Sequence, residues 1–332
     1  MLEPGGPEVW GSADWRAQAV AWLDERLAAV GIERTGEVEQ PHLRPWATAL
    51  KVPTSRGIVW LKAAGPGTAF EVALYELLHR VVPERVLTPI AVDASRGWIA
   101  LPDGGPLLGD VARENLPEAL VAVVPEYGQL QRDLAPHVDA LLAVGVTDMR
   151  PAIMPTRFDE ACSVVRALVD RSGSAAERHT VSRISECRDT FVSWCEQLAS
   201  APASPTLDHN DLHPWNILAP HLESDRARFY DWGDSVVAHP FGGMRITLTS
   251  LGDHLRTNAS DPRITRVRDA YLEAFSDLAP RADLATAFEL SCRINKVIRT
   301  LTWARAVNAT GTPDEFTRAP LHTLSSLFDP PD

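Results

Sequence analysis

No stretch of this 332-residue sequence approaches the ~20 consecutive apolar residues that a membrane-spanning helix requires, so no membrane partner is expected. Basic charge is also in short supply: 32 Lys and Arg stand against 44 Asp and Glu, a formal net charge of −12. An acidic surface repels a phosphate backbone, which argues against nucleic acid as a partner. Cysteine is scarce too. Cys162, Cys187, Cys195 and Cys292 form no C-x-x-C pair and no zinc-ligand spacing, so reduced thiols are expected rather than a disulfide framework. Met1 to Val9 lacks a basic residue and an apolar core, which sets the expectation of no secretory signal and a cytoplasmic location.

The remainder, 45% hydrophobic and 23% charged, is ordinary for a globular chain long enough to bury a core without staples. Ser12 to Val30 reads as an amphipathic helix, with Ser12 as cap and Trp15, Ala19, Trp22, Leu23, Leu27 and Val30 on one face. Trp46 to Val52 and Gly57 to Leu61 read as a hairpin turned by Pro53 to Arg56. A helix from Ala69 to Arg80 follows, then strand-like runs from Thr88 to Val92 and Trp98 to Leu101. Pro102-Asp103-Gly104-Gly105-Pro106 concentrates turn formers and predicts a boundary. Beyond it helical patterns dominate, over Leu116 to Asp133, Arg157 to Arg171, Glu177 to Ser200, Arg263 to Phe275 and Leu284 to Asn308. The Pro-rich last residues read as a loose tail. The prediction is an α+β chain: a small β-rich lobe over 1–101, a hinge over 102–106 and a larger, mainly helical lobe over 107–332.

Only Asp208 to Asp234 breaks the helical habit, and it holds the residues that carry chemistry. His209-Asn210-Asp211-Leu212-His213-Pro214-Trp215-Asn216 is followed by Asp231-Trp232-Gly233. Phosphoryl transfer asks a protein mainly for positioning and charge neutralisation. One carboxylate must orient a hydroxyl and take its proton, and oxygen ligands must hold Mg2+ against a triphosphate. The order and spacing fit the H-R-D-L-x-x-x-N and D-F-G elements of kinases, with Asp211 as the catalytic aspartate and Asn216 and Asp231 as metal ligands. Each Asp alone suits a turn equally well; the two motifs in this order carry the reading. His209 is expected to brace the loop backbone. His213 stays divided between loop packing and contact with phosphate or substrate. Zinc is not expected, because the His209 and His213 pair lacks the glutamate and the helix of H-E-x-x-H.

Upstream, Val59-Trp60-Leu61-Lys62-Ala63 matches the V-A-I-K strand, whose lysine contacts the α- and β-phosphates. Glu71, early in the next helix, is its expected partner, with Glu76 the competitor; a first-turn glutamate also suits the helix dipole. No G-x-G-x-x-G precedes Lys62. Arg44-Pro45-Trp46-Ala47-Thr48 stands there, so backbone N–H groups and the Thr48 hydroxyl are expected to cover the phosphates, with Trp46 as packing. That absence, and the short run from Trp232 to His239 before Pro240, argue against a protein kinase with a phosphorylated activation segment.

These residues resemble the aminoglycoside phosphotransferase family, the kinase-like group that also includes choline and homoserine kinases. His209 to Leu218 (H-N-D-L-H-P-W-N-I-L) is similar to the family's H-G-D-L-H-x-x-N-I-L. Tyr230 to Asp234, with His239-Pro240-Phe241, looks like a bacterial subgroup carrying D-W-G-D and then H-P-F. The resemblance implies a protein-kinase-like two-lobed fold, Mg2+, ATP as nucleotide with GTP left open, and a small-molecule hydroxyl acceptor. It implies Asp211 as base, Asn216 and Asp231 on Mg2+, Lys62 on the phosphates, and the backbone from Leu101 to Asp103 on the adenine edge. His209, His213 and Asp234 would support these or face the substrate. Asn210 departs from the family's glycine. The acceptor stays open between an antibiotic (aminoglycoside, peptide or nucleoside type), a sugar and an amino alcohol. Asp253, His254, Glu273, Glu289, Arg293 and Trp303, in the C-terminal helical region, are its candidate contacts. A silent nucleotide-binding module and a protein-directed kinase are the competing readings, and the oligomeric state stays open.

Overall fold

The structure, a computed structural model, describes residues 5–219, 226–307 and 315–329. The expected Pro-rich tail at 330–332 lies outside the described residues, as do residues 1–4 and Asn308. The described residues divide into two units. The first takes in 5–105, 228–233 and 305–307, and the second 106–219, 226–227, 234–304 and 315–329.

The first unit opens with a short α1 (Pro7–Trp10) and the longer α2 (Ala13–Ala29). Ser12 caps α2, its Oγ accepting from Trp15 N at 3.2 Å. A five-stranded antiparallel sheet follows, built from β1 (Glu39–Leu43), β2 (Ala47–Thr54), β3 (Gly57–Ala64), β4 (Ala91–Asp93) and β5 (Trp98–Pro102). Its order is β1-β2-β3-β5-β4, with α3 (Phe70–Val81) connecting β3 to β4. The hairpin is tighter than the sequence predicts. Pro53 and Thr54 pair with Ile58 and Gly57, so only Ser55 and Arg56 turn the chain. Gly57, at φ +101, supplies the positive φ that this reversal needs. Val59, Leu61 and Ala63 pack in one core with Trp15, Trp22, Leu23 and Leu27 of α2. Trp98 is met edge-on by Trp15 and Trp22, with ring centroids 5.9 and 5.6 Å away. Because side chains alternate along a strand, burying those three residues of β3 turns Lys62 to the opposite face.

The second unit begins with α4 (Leu108–Val111), α5 (Leu116–Leu134) and α6 (Val138–Ala143). There follow β6 (Thr147–Asp148), α7 (Met154–Ser172), α8 (Ala175–Glu186) and α9 (Arg188–Ala199). Then come β7 (Thr206–Asp208), β8 (Ile217–Leu218), β9 (Arg228–Phe229), which is counted with the first unit, and β10 (Val236–Ala238). Among the described residues four helices follow: α10 (Met244–Leu255), α11 (Pro262–Glu273), α12 (Arg281–Val307) and α13 (Ala319–Ser325). None of the described helices is long and apolar enough to cross a membrane.

Two features of this unit correct the sequence reading. The single helix expected over Glu177 to Ser200 is two helices that meet at Cys187, where ψ swings to 16° and Cys187 N bonds Ile184 O. A small sheet, β6-β10-β7, and α10 were not anticipated. Strands of two or three residues carry no readable period. In α10, Ile246-Thr247-Leu248-Thr249 alternates like a strand, and the helical face shows only in the burial of Met244, Leu248 and Leu251.

Candidate active site

In the first unit, β3 presents Lys62 toward the start of α3. Its Nζ lies 2.8 and 2.7 Å from the two carboxylate oxygens of Glu71 and 2.5 Å from Asp231 Oδ1. Glu71 is 1% exposed, while the competing Glu76 on the same helix is exposed. Glu71 Oε1 also accepts from the N–H of Trp232, which ties the Asp231-Trp232-Gly233 turn to α3. Asp231 sits at φ +62, a left-handed conformation that a short polar side chain tolerates. The Trp232 ring is fully buried and donates from Nε1 to Phe229 O at 3.1 Å. Burial opposes the Lys62 ammonium, yet the flanking Asp231 and Glu71 carboxylates outweigh it and hold the lysine pKa above its ordinary value.

Two expectations in this unit change. Thr48 is a fully buried strand residue whose hydroxyl donates to His42 O at 2.7 Å and accepts from Gln40 at 2.9 Å. That hydroxyl is committed to holding β1 on β2. The ladder groups of Leu101 and Asp103, within the backbone stretch expected on an adenine edge, are used inside the sheet. Asp103 N donates to Ile58 O at 2.9 Å and Leu101 pairs with Trp60, so both ladder groups point at β3. In an antiparallel ladder alternate residues face opposite ways, which turns the Pro102 C=O away from β3. The Asp103 carboxylate accepts from Trp60 Nε1 at 3.0 Å.

In the second unit, β7 runs into the loop that holds Asp211. Pairing of Asp208 with Val236 on β10 brings this loop beside Asp234. The Arg299 guanidinium of α12 then spans both acids: Nη2 lies 2.8 Å from Asp211 Oδ1, and Nη1 bonds Asp234 Oδ2. The Arg299 side chain is 7% exposed, whereas those of Asp211 and Asp234 are 26% and 23% exposed. Asn216 is buried and donates from Nδ2 to Asp211 O at 2.9 Å, a bond that does not use its amide oxygen. His209 is fully buried, and its backbone N–H donates to Tyr127 OH at 2.9 Å. His213 Nδ1 accepts from Trp215 N at 3.2 Å, so this ring braces the turn into Asn216.

The loop is anchored from below by Asp208, a residue that sequence reasoning passed over. Its carboxylate is fully buried and accepts from Asn210 N at 3.0 Å and Gly243 N at 2.7 Å. Burial pushes its pKa up to about 7 against the pull of those two N–H groups. Gly243 is required here: a Cβ would stand 2.0 Å from Asp208 Oδ1.

Beside the loop a cleft of about 370 Å³ is lined by His213, Trp215, Ile246, Thr249, Ser250 and Asp253. The Trp215 indole is fixed by a bond to Asp110 at 2.9 Å. Of the six candidate acceptor contacts, only Asp253 borders this cleft. His254 bonds Arg113 O, Arg293 lies over Trp194, Trp303 stacks on Phe316, and Glu273 and Glu289 are exposed.

No protein-family model and no curated protein matches this sequence. Solved structures do. Similarity to the Plasmodium vivax ethanolamine kinase reaches a TM-score of 0.65 at 12% identity, covering 96% of this chain and 89% of that one. The GDP complex of aminoglycoside 2'-phosphotransferase-IIIa gives 0.60 at 15% identity, over 93% and 98%. Choline kinase from Cryptosporidium parvum gives 0.59 at 16%, over 88% and 87%. The chain therefore has the protein-kinase-like α+β fold that these small-molecule kinases share.

Proposed function

We propose that this chain is an ATP- and Mg2+-dependent O-phosphotransferase whose acceptor is a small hydroxylated molecule. The observation that carries the reading is the Lys62 ammonium held on Glu71 and Asp231, the charge arrangement that steadies nucleotide phosphates. In this reaction Asp211 orients the acceptor hydroxyl and takes its proton as the new oxygen–phosphorus bond forms. The bond between the γ-phosphorus and the β,γ-bridging oxygen breaks, and ADP leaves. The Pro102 C=O, turned away from β3, takes the adenine edge; GTP remains the alternative donor.

The amide oxygen of Asn216 and the carboxylate of Asp231 are hard donors of the kind Mg2+ takes. Bound Mg2+ supplies positive charge against the triphosphate.

On the acceptor side, the Trp215 face, the Ser250 hydroxyl and the Asp253 carboxylate favour a polar molecule bearing both hydroxyl and amine. An aminoglycoside-type antibiotic and an amino alcohol both fit that description, and a resistance role and a metabolic role would use the same residues. The test offers Mg-ATP and pooled aminoglycosides, peptide and nucleoside antibiotics, sugars and amino alcohols to the purified protein. Mass spectrometry should find one added phosphoryl group in one class; label entering none of them, or only proteins of a cell extract, would overturn the reading.

A further inference from the structure

Asn210 stands where a glycine would be the least strained choice. Its φ is +61, inside the left-handed region, and it directly precedes the proposed base. Asparagine is among the few other residues that tolerate this conformation, so the backbone alone does not demand its side chain. The side chain is nevertheless fully committed. Oδ1 accepts from Asn295 Nδ2 at 2.9 Å, and Nδ2 donates to Asp234 O at 3.2 Å and Thr302 Oγ1 at 3.3 Å. Asn210, Asn295 and Thr302 are all buried. Asn295, Arg299 and Thr302 recur on α12 at the i, i+4, i+7 spacing of a single helix face. One face of α12 therefore grips three successive parts of the site: Asn210, the Asp211 carboxylate and the Asp234 segment.

We infer that Asn210 is a positioning residue. Its amide locks the catalytic loop to α12, so that the Asp211 carboxylate is delivered onto the Arg299 guanidinium in one fixed orientation. A glycine would preserve the backbone and lose the lock. The inference rests on Asp211 being the base, and it assigns no contact between Asn210 and substrate.

Asn210→Gly is the direct test, because glycine accepts φ +61 without strain and the variant should fold. Three readouts are needed: hydrogen–deuterium exchange of the 209–216 segment, Mg-ATP affinity, and phosphate release from Mg-ATP with water as acceptor. The lock predicts exchange in 209–216 faster by about ten-fold or more, since a tethered loop becomes a free one. It predicts kcat lower by roughly ten- to a hundred-fold at a nucleotide KM within about two-fold, the signature of lost orientation rather than lost binding. Thr302→Val, which keeps the volume and removes one partner, should show a smaller change in the same direction. Adding Asn295→Ala to Asn210→Gly should cost little more than either alone, because both remove the same tether. Unchanged exchange and unchanged kcat in Asn210→Gly would overturn the inference. Absence of any phosphoryl transfer by the wild type would instead sink the proposed function, and the exchange comparison would still decide whether the lock exists.

Discussion

Arg299 reaches Asp211 at 2.8 Å from a helix 88 residues further along the chain, and with its other nitrogen it holds Asp234. The planar fork gives one donor to each acid, so it sets the spacing between the two carboxylates. Removing it should therefore damage orientation before it damages the fold. Arg299→Met is expected to lower kcat by about a hundred-fold, with a stability loss on the order of 1–3 kcal/mol, since both acids keep partial access to water. Arg299→Lys should recover little of the rate, because a point charge does not reproduce the fork. Steady-state rates and urea unfolding of both variants check this.

Lys62→Met removes the cation between Glu71 and Asp231. Nucleotide KM should rise by about ten-fold or more and kcat should fall, since the lost group is expected on the phosphates in both ground and transition states. Glu71→Gln leaves Lys62 on Asp231 alone, and the expected effect is smaller and mainly on kcat. Titration calorimetry with Mg-ATP separates the two.

Two buried groups of the second unit make opposing contributions to stability against pH. Asp208, ordinarily near 3.8, is pushed up to about 7 by burial. Between these values the folded chain keeps a proton that the unfolded chain releases, so this contribution is present at low pH and is lost as pH rises. The slope is at most about 1.4 kcal/mol per pH unit. His239, ordinarily near 6.5, is lowered to about 4 by burial, so its contribution is present above 6.5 and is lost as pH falls. From about pH 4 to 6.5 these two slopes oppose and largely offset one another. Asp208→Asn should expose a stability that rises with pH, and His239→Gln one that falls. Denaturant midpoints at several pH values check both signs.

Gly243→Ala places a methyl group 2.0 Å from Asp208 Oδ1, which must push the carboxylate off Asn210 N and Gly243 N. A cost at the upper end of about 1–3 kcal/mol is expected, the range for overpacking a tight interior. Activity should fall with stability, because the same carboxylate anchors the Asp211 loop. Thermal unfolding and phosphate release, measured on one sample, check the coupling.

Asp253→Asn and Trp215→Phe should act on the acceptor alone. The expected result is an acceptor KM raised by about ten-fold and an ATP KM within roughly two-fold. Bisubstrate kinetics with the acceptor found by screening checks it.

The candidate residues were legible where they are close in sequence. Asp211 and Asn216 share one octapeptide, and Lys62 and Glu71 sit on an apolar strand and the first turn of the next helix. Arg299 was not legible, because α12 also carries Arg293 and Arg305 and no short-range pattern distinguishes the one that meets the loop. Asp208 reads as a loop residue until β7 pairs with β10 and buries it. Thr48 misled for a related reason: a hydroxyl near an expected phosphate loop looks available until β1, whose register breaks between Glu39 and His42, covers it. Helices with a 3.6-residue stripe were found to within a few residues, whereas Cys187 continued a stripe through a break that only backbone angles reveal.

The most direct test of the central claim is transfer of the γ-phosphoryl group of labelled ATP to the identified acceptor, by wild type and Asp211→Asn at matched folding. The account predicts transfer by the wild type that stops on chelating Mg2+ and resumes on its return. It predicts a loss of about a thousand-fold or more in Asp211→Asn with Mg-ATP affinity preserved. Equal rates in the two proteins would contradict it, since the carboxylate held by Arg299 would then not be the base.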